Sequence, residues 1–225
     1  MKKRMVAMFA HPDDESFGPA GTLALLSKDY DIHLITATRG EAGENHREDA
    51  GTRPLAEVRT EEVRTAAQAL GIQNVHILNF PDSGLCNTLF GTVLKETEQI
   101  CKLVKPEKII TFEPKGLTGH MDHIFMTNIA TSVFNRNSAI QSILYHHFER
   151  SVQEHMQDYY KSKGFDVLFP QGLTAREAHL KVNISSVRQQ KQQAMKSHRS
   201  QQGDYHAYDT AFKTSDLELF TVQSR

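Results

Sequence analysis

A chain of 225 residues with 39% hydrophobic and 24% charged side chains is long enough to bury a core without disulfides or a structural metal. Its 26 basic and 27 acidic residues leave a formal net charge of −1, which excludes the basic footprint of a nucleic-acid binder. Cys86 and Cys101 lack the spacing of a thiolate metal site or a disulfide framework, and read as free thiols of a reducing compartment.

In chain order, short β-rich apolar runs alternate with helical patterns, as a parallel sheet covered by helices requires. The first run, residues 5–10, is too short for a signal-peptide core, and no run is long enough to span a bilayer; a cytoplasmic protein is expected. His11-Pro12-Asp13-Asp14-Glu15 follows, then a helix over residues 18–26 and a second strand at 32–37. The polar stretch 41–53 reads as a long functional loop. A helix over 55–70 places Leu55, Val58, Ala66, Ala67 and Leu70 on one face, with Gly71 as its stop. Strands are expected at 75–80, 108–112 and 142–147, with a helix over 88–104 between the first two. His120-Met121-Asp122-His123 sits after the fourth strand and before another helix. Residues 151–163 are expected to be helical, and 185–198 a polar helix capped by Ser185 or Ser186, with 189–193 as its solvated face.

Two clusters therefore fall just past the C-terminal ends of expected strands, where sheets of this kind bind ligands. Both carry imidazole and carboxylate groups, the donors zinc takes, and a catalytic zinc uses three of them with one position left for water. Pro12 biases His11 away from helix, so a turn is expected to bring His11 and Asp14 together. If Asp14 binds the metal, Asp13 is free to face the metal's water as a general base. A protonated histidine of the second cluster, held by Asp122, could then steady the developing oxyanion. Taken singly, each cluster is equally a turn or a surface loop; taken together, each after a strand, they favour a metal site. His146 and His147 alternate across a strand and are expected to be structural. His198 is expected to be a cation favoured at a helix end, outside the catalytic set.

Ala10 through Glu15, Thr38-Arg39-Gly40-Glu41-Ala42-Gly43, Arg59 with Glu62, Phe80-Pro81-Asp82 and His120-x-Asp122-His123 together resemble the LmbE-like, or PIG-L-like, de-N-acetylases. The resemblance covers about residues 5–126 well, and echoes late at Lys191, Ala194 and 198–201. It implies a Rossmann-like three-layer α/β sandwich with a mostly parallel sheet. Residues 1–225 would form one domain, with 1–140 as the core and 141–225 shaping the substrate site. It implies one zinc ion per chain and hydrolysis of the N-acetyl group of a GlcNAc-type sugar conjugate, with the bacillithiol-biosynthesis enzymes as the nearest type. By motif position His11, Asp14 and His123 would hold the metal, Asp13 would be the general base, His120 the oxyanion donor, and Asp122 would tune a neighbouring histidine. Glu41, Arg59 and Asp82 match positions that hold the sugar. Without the resemblance, Arg59 is equally a solvated ion pair, and Glu41 and Asp82 are equally turn formers.

Other readings are another metal-dependent amidase on this scaffold, a metal-retaining protein without catalysis, and a nucleotide-binding module. The last lacks a glycine-rich phosphate loop and would set two carboxylates against a pyrophosphate. The expected partner is a small-molecule N-acetylated amino sugar conjugate, with no nucleic acid, no membrane span, and a homo-oligomer possible on this fold.

Overall fold

The first strand is apolar on both sides because it lies in the middle of a covered sheet. In β1 (Lys3–Phe9), Met5, Ala7 and Phe9 enter one core while Val6 and Met8, with the following Ala10, enter the other. None of the six is more than 1% exposed. Strands buried on both faces read as such continuous runs. A computed structural model describes residues 2–47, 53–165, 167–213 and 215–225.

The elements follow in order: β1, α1 (Asp14–Phe17), α2 (Ala20–Leu26), β2 (Tyr30–Thr38), α3 (Leu55–Ala69), β3 (Asn74–Phe80), α4 (Phe90–Val104), β4 (Lys108–Phe112), the single turn α5 (Gly116–Gly119), α6 (Met121–Arg136), β5 (Ser142–His147), α7 (Arg150–Ser162), β6 (Leu180–Asn183), α8 (Arg188–Ser197), α9 (Gln202–Phe212) and β7 (Leu217–Ser224). The sheet order is β3-β2-β1-β4-β5-β7-β6. The first five strands in that order run parallel, and β7 and β6 pair antiparallel. The result is the expected three-layer α/β sandwich with a mostly parallel sheet. One core lies between the sheet and α2, α3, α8 and α9; the other lies under α4 and α6. No helix among the described residues is long and apolar enough to cross a membrane.

Four expectations change. The helix expected over 18–26 starts at Ala20 as α2, because Gly18 and Pro19 separate it from the short helix α1 that precedes it. A Cβ on Gly18 would lie 2.6 Å from both the Phe112 ring and the Asp14 carbonyl oxygen, so the close approach needs glycine. The polar helix α8 begins at Arg188 after a 3₁₀ turn, and no serine side chain caps it; Asn183 Oδ1 accepts the Ser185 N–H at 2.9 Å instead. Within residues 189–193, Lys191 is buried rather than solvated. Strands β6 and β7 and helix α9 were not expected at all. Of the expected loop 41–53, residues 48–52 lie outside the described residues.

Strands β2 and β4 flank β1 on opposite sides, so the direction of chain winding reverses between β1 and β4. A crevice opens at the C-terminal ends of strands at such a reversal. His11–Glu15 leaves the end of β1 and the 113–123 segment leaves the end of β4, which is why two stretches about a hundred residues apart meet.

Candidate metal centre and active site

His11 Nδ1 lies 3.1 Å from His123 Nε2, and His123 Nε2 lies 3.0 Å from Asp14 Oδ1. His11 Nδ1 and Asp14 Oδ2 are 3.8 Å apart. Donors about 2.0–2.2 Å from a tetrahedral zinc stand roughly 3.3 Å from one another, so this spacing fits. The outer nitrogens have acceptors: His11 Nε2 faces Asp82 Oδ1 at 3.0 Å, and His123 Nδ1 faces the Gly116 carbonyl at 2.9 Å. Metal-binding histidines are usually oriented in this way, by an acceptor on the other ring nitrogen. With both outer nitrogens donating, two lone pairs face each other across 3.1 Å and require an electrophile between them. The donor set thus fits a divalent cation. His11 also groups with His120 and His123, and with Asp82 and Asp122, at distances suited to holding an ion.

The local chain builds this arrangement. Asp14 opens α1, and its Oδ2 accepts the N–H groups of Ala10 and His11 at 3.0 and 2.9 Å, folding the turn back on itself. Burial opposes ionisation of Asp14, but His123 and His11 outweigh it and hold the carboxyl well below its ordinary range. Burial also acts to lower the His11 pKa, yet Asp122, Asp82 and Asp14 raise it further, to about 10. In the absence of a metal, that histidine carries a proton.

Asp13 adopts φ 121°, a strained angle for a residue with a side chain. Its surroundings hold it there. Its N–H reaches Glu15 Oε2 at 3.1 Å, its carbonyl accepts from Ser16 and Phe17, and its Oδ2 meets Arg59 Nη2 at 2.8 Å. Burial raises the Asp13 carboxyl to about 6, against the lowering effect of Arg59.

The residues expected to hold the sugar each have partners within the protein. Arg59 is buried and lines the cavity, but its Nη atoms donate to Asp13, the Pro12 carbonyl and the Gly40 carbonyl. A Cβ on Gly40, at φ +70°, would lie 2.5 Å from the guanidinium, so glycine admits the arginine. Asp82 also lines the cavity, with one oxygen on His11 and the other accepting the Ala42 N–H at 2.9 Å. Glu41 is exposed and accepts the Asp82 N–H at 2.9 Å.

In the second cluster, Asp122 does not hold His120 with its carboxylate. Its Oδ2 faces His11 Nε2 at 3.4 Å and its Oδ1 accepts the Leu85 N–H at 3.1 Å. The Asp122 backbone N–H instead donates to His120 Nδ1 at 3.1 Å, making His120 the cap of α6. Burial, with His11 and His123 nearby, lowers the His120 pKa, and because Nδ1 accepts the Asp122 N–H, Nε2 is the nitrogen left to donate.

His146 is buried and His147 meets Thr221 Oγ1 at 3.0 Å, on opposite faces of β5 as expected. His198 does end α8, but it is fully buried, with Nε2 2.8 Å from Glu15 Oε1. It braces the segment that holds Asp13. Gln201, within the late echo at 198–201, lines a cavity of about 480 Å³ around these groups; sequence reasoning missed Tyr160, Val167, Phe169 and Tyr208, which line it too. No spacing or motif in residues 141–225 marks them.

The family model for GlcNAc-PI de-N-acetylase, PIG-L, matches residues 6–134. The 1D-myo-inositol 2-acetamido-2-deoxy-alpha-D-glucopyranoside deacetylase of Saccharomonospora viridis is 30% identical over 63% of this chain and 61% of its own. A Bacillus cereus protein named "Probable N-acetyl-alpha-D-glucosaminyl L-malate deacetylase 2" is 31% identical over 55% of this chain and 57% of its own. The chain therefore spans less than two thirds of the length of these relatives. Among solved structures, the N,N'-diacetylchitobiose deacetylase of Pyrococcus horikoshii aligns at TM-score 0.69 and 20% identity, covering 99% of this chain and 84% of that one. The 4-carboxy-2-hydroxymuconate hydratase of Pseudomonas putida aligns at 0.71 and 16%, covering 100% and 97%. At such identities the likeness concerns the fold alone, and one fold serves both reactions.

Proposed function

The chain belongs to the PIG-L family of GlcNAc-PI de-N-acetylases, and from that premise we propose that it hydrolyses the N-acetyl group of an N-acetylglucosamine-type conjugate, with one zinc ion held by His11, Asp14 and His123. One observation carries the reading: two imidazole nitrogens and a carboxylate oxygen converge beside Asp13, with their outer atoms already committed to the protein. Zinc in that position supplies Lewis acidity and a nucleophilic water near neutral pH.

Asp13 takes the proton of the attacking water. A carboxylate raised to about 6 is still ionised at pH 7 and is a better base than an ordinary one. Arg59 aims that carboxylate and keeps it charged, so Arg59 is read as positioning the base. The proton then passes from Asp13 to the departing amine nitrogen. His120 offers Nε2–H to the oxygen that gains negative charge; its Nδ1 is fixed by the Asp122 N–H, which selects this tautomer. Asp82 and Asp122 orient His11. Glu41 orders the Asp82 turn, and the sugar is left to the backbone at Ala42–Gly43 and to Gln201.

The test is release of free amine from a panel of N-acetylglucosaminides, with zinc-loaded and chelator-treated protein side by side. Release that follows zinc is expected. A zinc-loaded, folded protein that frees no amine from any of them would rule the activity out.

A further inference from the structure

The cavity has two unlike walls. One carries the acidic groups Asp13, Asp14 and Asp82. The other is apolar and is built by Tyr160, Val167, Phe169 and Tyr208 from the C-terminal part of the chain. That apolar wall is constructed, not incidental. The segment 167–173 leaves α7 and is tied back to it: Gln157 Oε1 accepts the Phe169 N–H at 2.9 Å, and the Gln157 amide also donates to the Val167 carbonyl. Gln153 accepts from Gly172, and the N–H groups of Arg150 and Leu173 complete the seam. Phe169 stacks at a tilt on Tyr160, ring centroids 5.8 Å apart, and Tyr208 packs on Phe17 at 4.7 Å. On its other side the segment meets the turn that carries the second metal motif, since a Cβ on Gly119 would lie 3.6 Å from the Leu168 carbonyl.

Among the described residues lining the cavity, Arg59 is the one permanent cation, and its Nη atoms are spent on Asp13, Pro12 and Gly40. A carboxylate or phosphate on the substrate's second moiety, seated against Tyr160, Val167, Phe169 and Tyr208, would find no cationic side chain in that wall. Burying such a charge unpaired is costly. An aryl ring, or a pyranose that turns its C–H face inward and keeps its hydroxyls in water, avoids that cost and gains the aromatic surface. The volume, about 480 Å³, falls within the range of about 300–1,000 Å³ of sites that hold ligands larger than one sugar.

We propose that this apolar wall is a subsite for an uncharged ring joined to the amino sugar, either an aryl group or the C–H face of a second pyranose, and that it selects against an anionic aglycone such as malate. The inference rests on the deacetylase reading and narrows it.

Three substrates test it: p-nitrophenyl N-acetyl-β-D-glucosaminide, N,N'-diacetylchitobiose and the N-acetylglucosaminyl malate conjugate. The better neutral substrate should exceed the malate conjugate in kcat/KM by about tenfold or more; which of the two leads identifies the ring. Phe169→Ala should shrink that ratio severalfold, while Phe169→Tyr should keep it. Val167→Arg, which adds a cation at the wall, should move the preference towards malate, and it serves if Phe169→Ala does not fold. Affinities measured by calorimetry on zinc-loaded Asp13→Asn protein read the same order without turnover. Equal handling of malate and neutral conjugates in both measurements, or a ratio untouched by Phe169→Ala and Val167→Arg, overturns the subsite. Preserved binding order with no amine release overturns the deacetylase reading instead.

Discussion

Arg59→Met separates a residue that aims the base from one that grips the sugar. The guanidinium stands 2.8 Å from Asp13 Oδ2, with side-chain exposures of 4% and 16%, so water screens the pair little. Two unit charges about 4 Å apart interact by roughly 4 kcal/mol at an effective dielectric of about 20. That equals about three pK units, at about 1.36 kcal/mol each, and water entering the vacated space would reduce it to about one or two. The sign follows from Asp13 itself. Burial raises its carboxyl to about 6 while Arg59 holds it down, so removing Arg59 lifts it further. The base must be ionised to act. The acidic limb of the kcat/KM profile should therefore move up by about one to two pH units, and kcat at pH 7 should fall about 2- to 10-fold as the ionised fraction drops, with KM nearly unchanged. Amine release from pH 5 to 9 measures this, with zinc content and thermal melting as controls because the Gly40 and Pro12 carbonyls lose a donor. A KM raised tenfold with an unmoved pH profile would mean that Arg59 holds the sugar and that the base is set by something else.

Asp13→Asn should retain one zinc per chain by metal analysis while kcat drops by about 10²–10⁴; an unchanged kcat would remove Asp13 from its role. Loading zinc into stripped protein should displace the proton that His11 holds up to about pH 10, so calorimetry in buffers of different ionisation heat should register about one proton released per metal at pH 7. No buffer dependence would contradict that. Burial, with His179 nearby, depresses His147 to about 4, so between pH 6.5 and 4 the unfolded chain binds the extra proton and stability falls as pH falls. His147→Gln should lose about 2–4 °C less in melting temperature between pH 7 and 4.5 than the parent, and an identical loss would refute the assignment. Lys191→Met should destabilise by about 3–5 kcal/mol in urea titration, because it strands the buried Glu218 carboxylate 2.7 Å from the vacated ammonium; Glu218→Gln added to it should recover part of the loss.

What the sequence disclosed follows from what periodicity and position encode. Residues 5–10 are apolar without a break because both faces of β1 are covered, and β4 and β5 occupy the residues their apolar runs mark. The meeting of His11, Asp14 and His123 was legible because both clusters follow strands that become neighbours where the winding reverses. Partner choice was not legible. Burial periodicity says that Arg59 faces inward, but not that its guanidinium ends on Asp13. It equally leaves open whether Asp122 turns to His120 or to His11. The four-residue β6 is too short to show a period, and β7 places Glu218 among apolar neighbours, which masks the alternation that marks a strand.

The late part of the chain does more than shape the cavity, and its buried polar groups show why. Glu15 is fully buried and meets His198; Glu62 accepts the Ser200 N–H and hydroxyl at 2.8 and 2.6 Å. Glu218 receives the Gly21 and Thr22 N–H groups at the start of α2 together with the Lys191 ammonium. Apart from the Lys191–Glu218 pair, these bonds cross from the last forty residues to Glu15 beside His-Pro-Asp-Asp, to the start of α2, or to the helix that carries Arg59. Glu15 also takes the Asp13 N–H, so a fixed His198 fixes the strained residue at one remove. A residue held at φ 121° relaxes unless its neighbours prevent it. The brace from α8 and β7 therefore sets the aim of Asp13 as much as its own motif does. A motif transplanted without that brace would keep its metal-binding side chains and lose the base's position.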